Sequence, residues 1–311
     1  TKDGGSSWST LGAGLKRTDL RHVYAAPGAW WASLSNGGWM KYEEASGKWV
    51  KAGLYVADAS PVAVAALATK RKKGAAATKR PVTKAKAAAA SFVAFQVNDM
   101  LFGKDAWFAA TAGGVLVSKD RGTTWKSAGS DSFVKQPAQS LEASTNGSQI
   151  WAVSQRNLLY SADGGAHWDA KEVSFAAAGN LRLHRVDDTN LFMTSNMGLY
   201  VSRDAGRNWN REEVRELQFQ DVAGSGNALV VALQKHGLLA SFDAGKSWQR
   251  VNDPLAEGYF PVVRTQRNGA MVAASATEGL LTLEPNARAA DGSVGVSQLM
   301  PATGTAQKPQ H

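Results

Sequence analysis

No cysteine occurs in the 311 residues, which excludes a disulfide scaffold, Cys-ligated zinc and a thiol nucleophile. The compartment stays open, because exported proteins also do without cysteine. No apolar run approaches the ~20 residues of a membrane-spanning helix, so none is expected. Met is missing at the start: the chain opens on Thr1 with no apolar leader behind it, and a removed leader or a shortened N-terminus is the expectation. Wholesale disorder is excluded by the 44% hydrophobic content, which is ample for a packed core. At roughly 100–200 residues per domain, the length allows one large β domain or two ordinary ones.

Acid is absent from one stretch in particular. Lys70, Arg71, Lys72, Lys73, Lys79, Arg80, Lys84 and Lys86 are eight cations within seventeen residues and contain no acid among them. The net charge of +9 belongs to this cluster, since the remaining chain balances 27 cations against 26 acids. Residues 58–90 are mostly Ala, Lys, Arg, Thr and Pro, with no aromatic side chain. Such a segment buries too little apolar surface to order itself and reads as a disordered insertion. Its cations would suit an anionic polymer such as nucleic acid or acidic polysaccharide, or simply keep a loop solvated. Residues 286–311, rich in Ala, Gly, Ser, Thr and Gln, read as a second weakly ordered segment, a flexible tail.

What is present is a repeat. Thr1, Asp3, Gly5 and Trp8 set a pattern that returns as Ser118, Asp120, Gly122 and Trp125. It recurs as Ser161, Asp163, Gly165, Trp168; as Ser202, Asp204, Gly206, Trp209; and as Ser241, Asp243, Gly245, Trp248. The consensus is S/T-x-D-x-G-x-x-W, with an eroded copy ending at Trp49. Successive tryptophans stand 41, 76, 43, 41 and 39 residues apart, and the long gap holds the basic insertion. Short apolar runs such as Gly114–Val117 and Ala106–Ala110 precede each internal box, giving four short strands per period of about 41 residues. Four strands per repeat is the unit of a propeller blade.

The boxes make the chain similar to the Asp-box, or BNR, repeat proteins: sialidase-like propellers, sortilin-type receptor domains and Ycf48-like photosystem II assembly factors. The resemblance implies an all-β propeller over residues 1–57 and 91–285. Six blades are counted, the last closed by joining the N-terminal box, with Trp8 and Leu11, to the C-terminal strands. Seven would follow if the insertion hid an eroded blade or another blade preceded Thr1. In each box the Ser/Thr and Asp side chains are suited to binding turn amides, Gly to a positive φ, and Trp to burial against the next repeat. These residues are expected to be structural.

Catalytic patterns are sparse. The resemblance to sialidases would imply an arginine triad and an Arg-Ile-Pro motif, but no Arg-Ile-Pro occurs, and Arg121, Arg203, Arg207 and Arg211 fall in or just after the turns. His22, His167, His184, His236 and His311 have no metal-ligand spacing. No nucleophile elbow, P-loop or dinucleotide fingerprint appears, so no catalytic residue, metal or cofactor is assigned. Trp31, Trp107 and Trp151 recur in second strands and read as core. Trp30 and Trp39 depart from that column and are candidates for aromatic contact with a partner. The Ycf48-like resemblance implies an exported or periplasmic scaffold that binds a protein or membrane-protein complex at a propeller face. The alternatives are a sialidase-like glycoside hydrolase or carbohydrate binder, and an anionic-polymer binder acting through the insertion.

Overall fold

A computed structural model describes residues 20–26, 29–34, 39–52, 96–154, 157–173, 181–212, 219–234, 237–251, 258–265, 270–275, 279–288 and 294–300. Among these residues there are strands and turns but no helix. The strands form six four-stranded antiparallel sheets, each built from consecutive segments. The first holds β1 (Leu20–Ala26), β2 (Ala29–Leu34), β3 (Trp39–Glu43) and β4 (Lys48–Ala52). The second holds β5 (Val97–Phe102), β6 (Trp107–Thr111), β7 (Gly114–Ser118) and β8 (Lys126–Ser127). The third holds β9 (Ala138–Ala143), β10 (Ile150–Ser154), β11 (Asn157–Ser161) and β12 (Asp169–Glu172). The fourth holds β13 (Arg182–Arg185), β14 (Leu191–Ser195), β15 (Gly198–Ser202) and β16 (Asn210–Arg211). The fifth holds β17 (Phe219–Ser225), β18 (Ala228–Leu233), β19 (Leu238–Ser241) and β20 (Gln249–Arg250). The sixth holds β21 (Val262–Thr265), β22 (Met271–Ser275), β23 (Gly279–Arg288) and β24 (Val294–Met300).

Position within a sheet dictates composition. The second strands are covered on both faces, and β6, β10, β14 and β18 are buried at every residue. They therefore read as continuous apolar runs rather than alternating ones. First strands of neighbouring sheets pack on each other, β13 on β17 and β17 on β21 in one part of the chain, β1 on β5 in another. Fourth strands are the opposite extreme: β12, β16 and β20 are exposed throughout and carry charge. First strands are thus innermost and fourth strands outermost.

The chain divides into two compact units, one spanning Leu11–Leu141 and the other Thr1–Thr10 with Glu142–His311. In the first, Trp31, Trp39, Val97, Met100, Trp107 and Trp125 form an aromatic core between the first two sheets. Trp31 stacks on Trp39 at 5.4 Å and meets Trp107 edge-on at 6.2 Å, the two geometries that ring quadrupoles favour. In the second, Trp151 with Leu191, Phe192 with Leu229, and Val230 with Met271 interleave successive sheets.

The sixth sheet departs from the expectation at its outer edge. Its fourth strand is β24, paired antiparallel to β23 from Leu280↔Met300 to Arg288↔Val294. The expected outer strand with Trp8 and Leu11 lies outside the described residues, and the expected tail from 286 onward contains the whole of β24. The cause is in the residues: Val294, Val296 and Leu299 give this stretch enough β-propensity to pair once β23 offers an edge.

Candidate functional site

The four described boxes join third to fourth strands and share one geometry. Ser118, Ser161, Ser202 and Ser241 end their strands, and each hydroxyl accepts the amide two residues after the Asp, that of Gly122, Gly165, Gly206 or Gly245, at 2.8 Å. Each hydroxyl donates to its Asp at 2.7–2.9 Å. The Asp also accepts the amide of the seventh box residue, at 2.8 Å for Thr124 and Asn208 and 2.9 Å for His167 and Ser247. The seventh side chain then donates to the other carboxylate oxygen: Thr124 Oγ1 at 2.5 Å, His167 Nδ1 at 2.6 Å, Asn208 Nδ2 at 2.7 Å and Ser247 Oγ at 2.6 Å. Every such hydrogen bond favours the ionised carboxylate. At Asp163 and Asp243 these bonds, from His167 and Ser247 first, hold the carboxyl well below its usual range, at about 2 for Asp243. Asp120 and Asp204 are lowered too, although partial desolvation, their largest single influence, acts the other way.

Two features of the turn escape a reading of the consensus. The seventh position is a hydrogen-bond donor in every described copy, not a free one. The fourth position is left-handed like the fifth: φ is 55° at Arg121, 59° at Ala205 and Ala244, and 68° at Gly164. Two successive left-handed residues turn the chain sharply enough to aim both Ser and Asp at the same amides. The fifth position favours Gly through its φ of 85–87°, and a Cβ on Gly245 would also crowd the Phe192 ring at 3.1 Å.

The innermost strands carry a second polar system, missed because its members are single residues about 42 positions apart. In β5, Asp99 sits beside a register shift and accepts Met100 N at 2.9 Å. Its other oxygen takes Leu141 N at 3.0 Å and Ser140 Oγ at 3.2 Å from β9. Asp221 repeats this in β17 beside an equivalent shift, accepting Val222 N at 3.1 Å, Val263 N at 3.2 Å from β21, and the Arg264 guanidinium. Asp221 is 9% exposed while Arg264 is 56% exposed, so the pair anchors a buried carboxylate to a solvated cation. Between β9 and β17 stands His184, whose Nδ1 is 3.8 Å from Glu142 Oε1. Burial pushes its imidazole down to about 4, against the opposing pull of Asp221. His184 is therefore neutral at pH 7 and makes no ion pair with Glu142. The inner carboxylates Asp99 and Asp221 are committed to backbone amides.

Register identifies a third feature, on the first sheet. Trp30 pairs with Ala25 and Tyr42, which makes it equivalent to Trp107, Ile150, Leu191, Leu229 and Met271. Val23 corresponds to Met100, Leu183, Val222 and Val263, and Leu20 to Val97 and Phe219. All of those equivalents are buried against a neighbouring sheet, whereas Leu20, Val23 and Trp30 are 40%, 50% and 43% exposed. The expectation for Trp39 is corrected: it is 4% exposed because it stacks on Trp31 in the core. Register also shows that Trp31 matches Phe108 and Trp151, while Trp107 matches Trp30. The first box (Thr1, Asp3, Gly5, Trp8) and the cations from Lys70 to Lys86 lie outside the described residues.

Six sheets of this order, innermost strand first, meet the comparison with known families at one point. The family model of the DUF6242 beta propeller domain matches residues 133–279. The chain is a β-propeller. Its six sheets are the blades, and the four described boxes are the turns into the outer strands β8, β12, β16 and β20. Solved propellers agree with this at the level of fold. Ycf48 from Cyanidioschyzon merolae matches with a TM-score of 0.60 and 10% identity, over 92% of this chain and 87% of that one. An ancestral GH74 enzyme matches with a TM-score of 0.62 and 15% identity, over 92% of this propeller but 38% of the enzyme. A YCF48 bound to a D1 peptide matches with a TM-score of 0.49 and 15% identity, over 65% and 68% of the two chains. No curated protein matches the sequence. Among the described residues no group of His, Asp and Glu is arranged to hold a metal ion, and no helix is long and apolar enough to cross a membrane.

Proposed function

We propose that this propeller is a non-enzymatic, exported scaffold that holds another protein against a blade face. The observation that carries the reading is the apolar patch of Leu20, Val23 and Trp30, exposed although their register equivalents in other blades, Val97, Met100 and Trp107 among them, are buried. A surface built to blade-packing rules takes a flat, apolar partner surface, and an exposed Trp at its centre is the kind of anchor on which protein interfaces depend. Hydrolysis of glycosides needs two carboxyl groups free to act on a sugar. Here the box carboxylates are occupied by turn amides, and Asp99 and Asp221 by strand amides.

The test is capture from native extract with four proteins: the full chain, Trp30→Ala, Val23→Asp, and the chain lacking residues 60–90, each at low and physiological salt. The expected result is a protein partner retained without residues 60–90 and lost with Trp30→Ala or Val23→Asp. Partners that vanish with residues 60–90 and weaken steeply with salt would instead make the basic insertion the binding element. Release of sugar from a polysaccharide panel by the full chain would overturn the non-enzymatic reading.

A further inference from the structure

The hairpin from β9 to β10 carries a pattern that the blade itself does not require. Asn146, Gly147 and Ser148 read Asn-x-Ser with x other than Pro, and no other asparagine of the chain stands two residues before Ser or Thr. The matching hairpins of the fourth and fifth blades are closed by Asp187, Asp188, Thr189 and Asn190 and by Gly226 and Asn227, without such a triplet. Asn-x-Ser/Thr is the acceptor pattern for N-linked glycans. The pattern also arises by chance, so the geometry of the turn has to decide.

That geometry is an acceptor's. Gly147 has a φ of 74°, and its amide donates to Ser144 O at 2.9 Å, closing a tight turn at the hairpin tip. Asn146 sets one terminal atom against three donors: Ser144 Oγ at 2.7 Å, Ser148 N at 2.9 Å and Ser148 Oγ at 2.8 Å. A backbone N–H only donates, so this atom is the oxygen and the other is the amide nitrogen. The planar amide therefore turns Nδ2 away from the turn, and Asn146 and Ser148 are both exposed. Behind the tip the loop is fastened, with Ser144 N on Gln149 O and Gln149 N on Ser144 Oγ, each at 2.9 Å. Ser148 O also accepts Gly164 N at 2.8 Å from the box of the same blade.

We propose that Asn146 is the attachment site of an N-linked glycan. The inference rests on the exported reading given above, since this modification belongs to secreted chains. The donor is an oligosaccharide carried on a polyprenyl pyrophosphate. Asn146 Nδ2 bonds to the sugar C1 while the C1–O bond breaks, its electron pair leaving on the pyrophosphate. The proton shed by Nδ2 goes to a base of the transferase, and nothing is oxidised or reduced. The sugar then stands at the hairpin tip beside the third box and displaces no core contact.

The test has two arms. In the first, the folded full chain is incubated with a single-subunit oligosaccharyltransferase and an oligosaccharide on polyprenyl pyrophosphate. One glycan per chain is expected, read as a single step in gel mobility. Asn146→Gln and Ser148→Ala are expected to lose that step and Ser148→Thr to keep it, a pattern that a general folding defect does not give. A folded chain left unmodified, or a step that survives Asn146→Gln, overturns the proposal. In the second arm, the chain from its native source is treated with peptide N-glycosidase in heavy-oxygen water and digested. A heavy-oxygen label at position 146 is expected, whereas earlier spontaneous deamidation of the Asn146–Gly147 pair carries ordinary oxygen and differs in mass. An exported chain without the label overturns the proposal. A chain found only in the cytoplasm overturns the exported reading and, with it, modification in the native host, while transfer in the first arm still marks Asn146 as the acceptor.

Discussion

Ala244 stands at φ 59°, where an L-residue pays for the approach of its Cβ to the backbone, and Ala205 and Arg121 share the conformation. The left-handed region costs a non-glycine residue about 1–2 kcal/mol, of which glycine returns part through the freedom it has when unfolded. Ala244→Gly is therefore expected to stabilise the protein by about 0.5–1 kcal/mol, read as a higher denaturation midpoint at unchanged slope. One residue further, Gly245→Ala should act oppositely and more strongly, since the new methyl meets Phe192 as well as the φ penalty. His184 offers a test by pH. Its folded value near 4 lies below the ordinary histidine value near 6.5, so the unfolded chain takes up a proton first as pH falls. Stability from this group is complete above pH 6.5 and is lost between about 6.5 and 4, by roughly 2–3 kcal/mol. Thermal unfolding across that window should show the slope in wild type and a flatter profile in His184→Gln; equal slopes would refute it.

Among elements, the inner strands are held by carboxylates as well as by packing. Removing Asp221 leaves the Val263 amide and the Arg264 guanidinium without their acceptor in a buried setting. Asp221→Ala is expected to cost about 2–4 kcal/mol in urea unfolding, against about 1–2 for Asp99→Ala, which strands neutral groups only. Equal costs would show that the guanidinium contributes nothing. The blades were legible in the sequence because a whole box, four residues at fixed spacing, marks four of the six outer turns, and the spacing carries the count through the eroded copy at Trp49. Asp99 and Asp221 were not, since two acids 122 residues apart, each bound to an amide 42 residues further on, leave no local pattern. Trp39 was misjudged for a related reason: the sequence shows that it leaves the Trp column, but not that it stacks on Trp31 from the next strand. The edge β24 was hidden by composition, as Gly, Ser and Gln in the tail outweigh the alternating Val294 and Val296 until a partner strand is at hand.

For the molecule as a whole, the eight cations from Lys70 to Lys86 interrupt the connection from Ala52 to Val97 without interrupting the repeat. Deleting residues 60–90 shortens that connection, and the loop-closure term changes by only about 1 kcal/mol, in the stabilising direction. The shortened protein is expected to unfold at the same or a slightly higher temperature, while eluting from heparin at far lower salt. A large loss of stability would mean that the segment packs on the propeller.

The Ser and Asp side-chain hydrogen bonds of each box close within eight residues, and the fourth-position amides of Gly164, Ala205 and Ala244 tie the turn to the carbonyls of Ser148, Thr189 and Asn227. A side-chain clasp so local is a portable part: gene duplication copies it with its own donors and acceptors, and the ties to its surroundings are made by backbone amides that any sequence supplies, so near-identical turns coexist with strands of quite different sequence. The same independence makes it an engineering socket. Its sixth position, filled by Thr123, Ala166, Arg207 and Lys246, makes no side-chain bond to the carboxylate, so a peptide tag or a fluorophore could be mounted on several blades without touching the core.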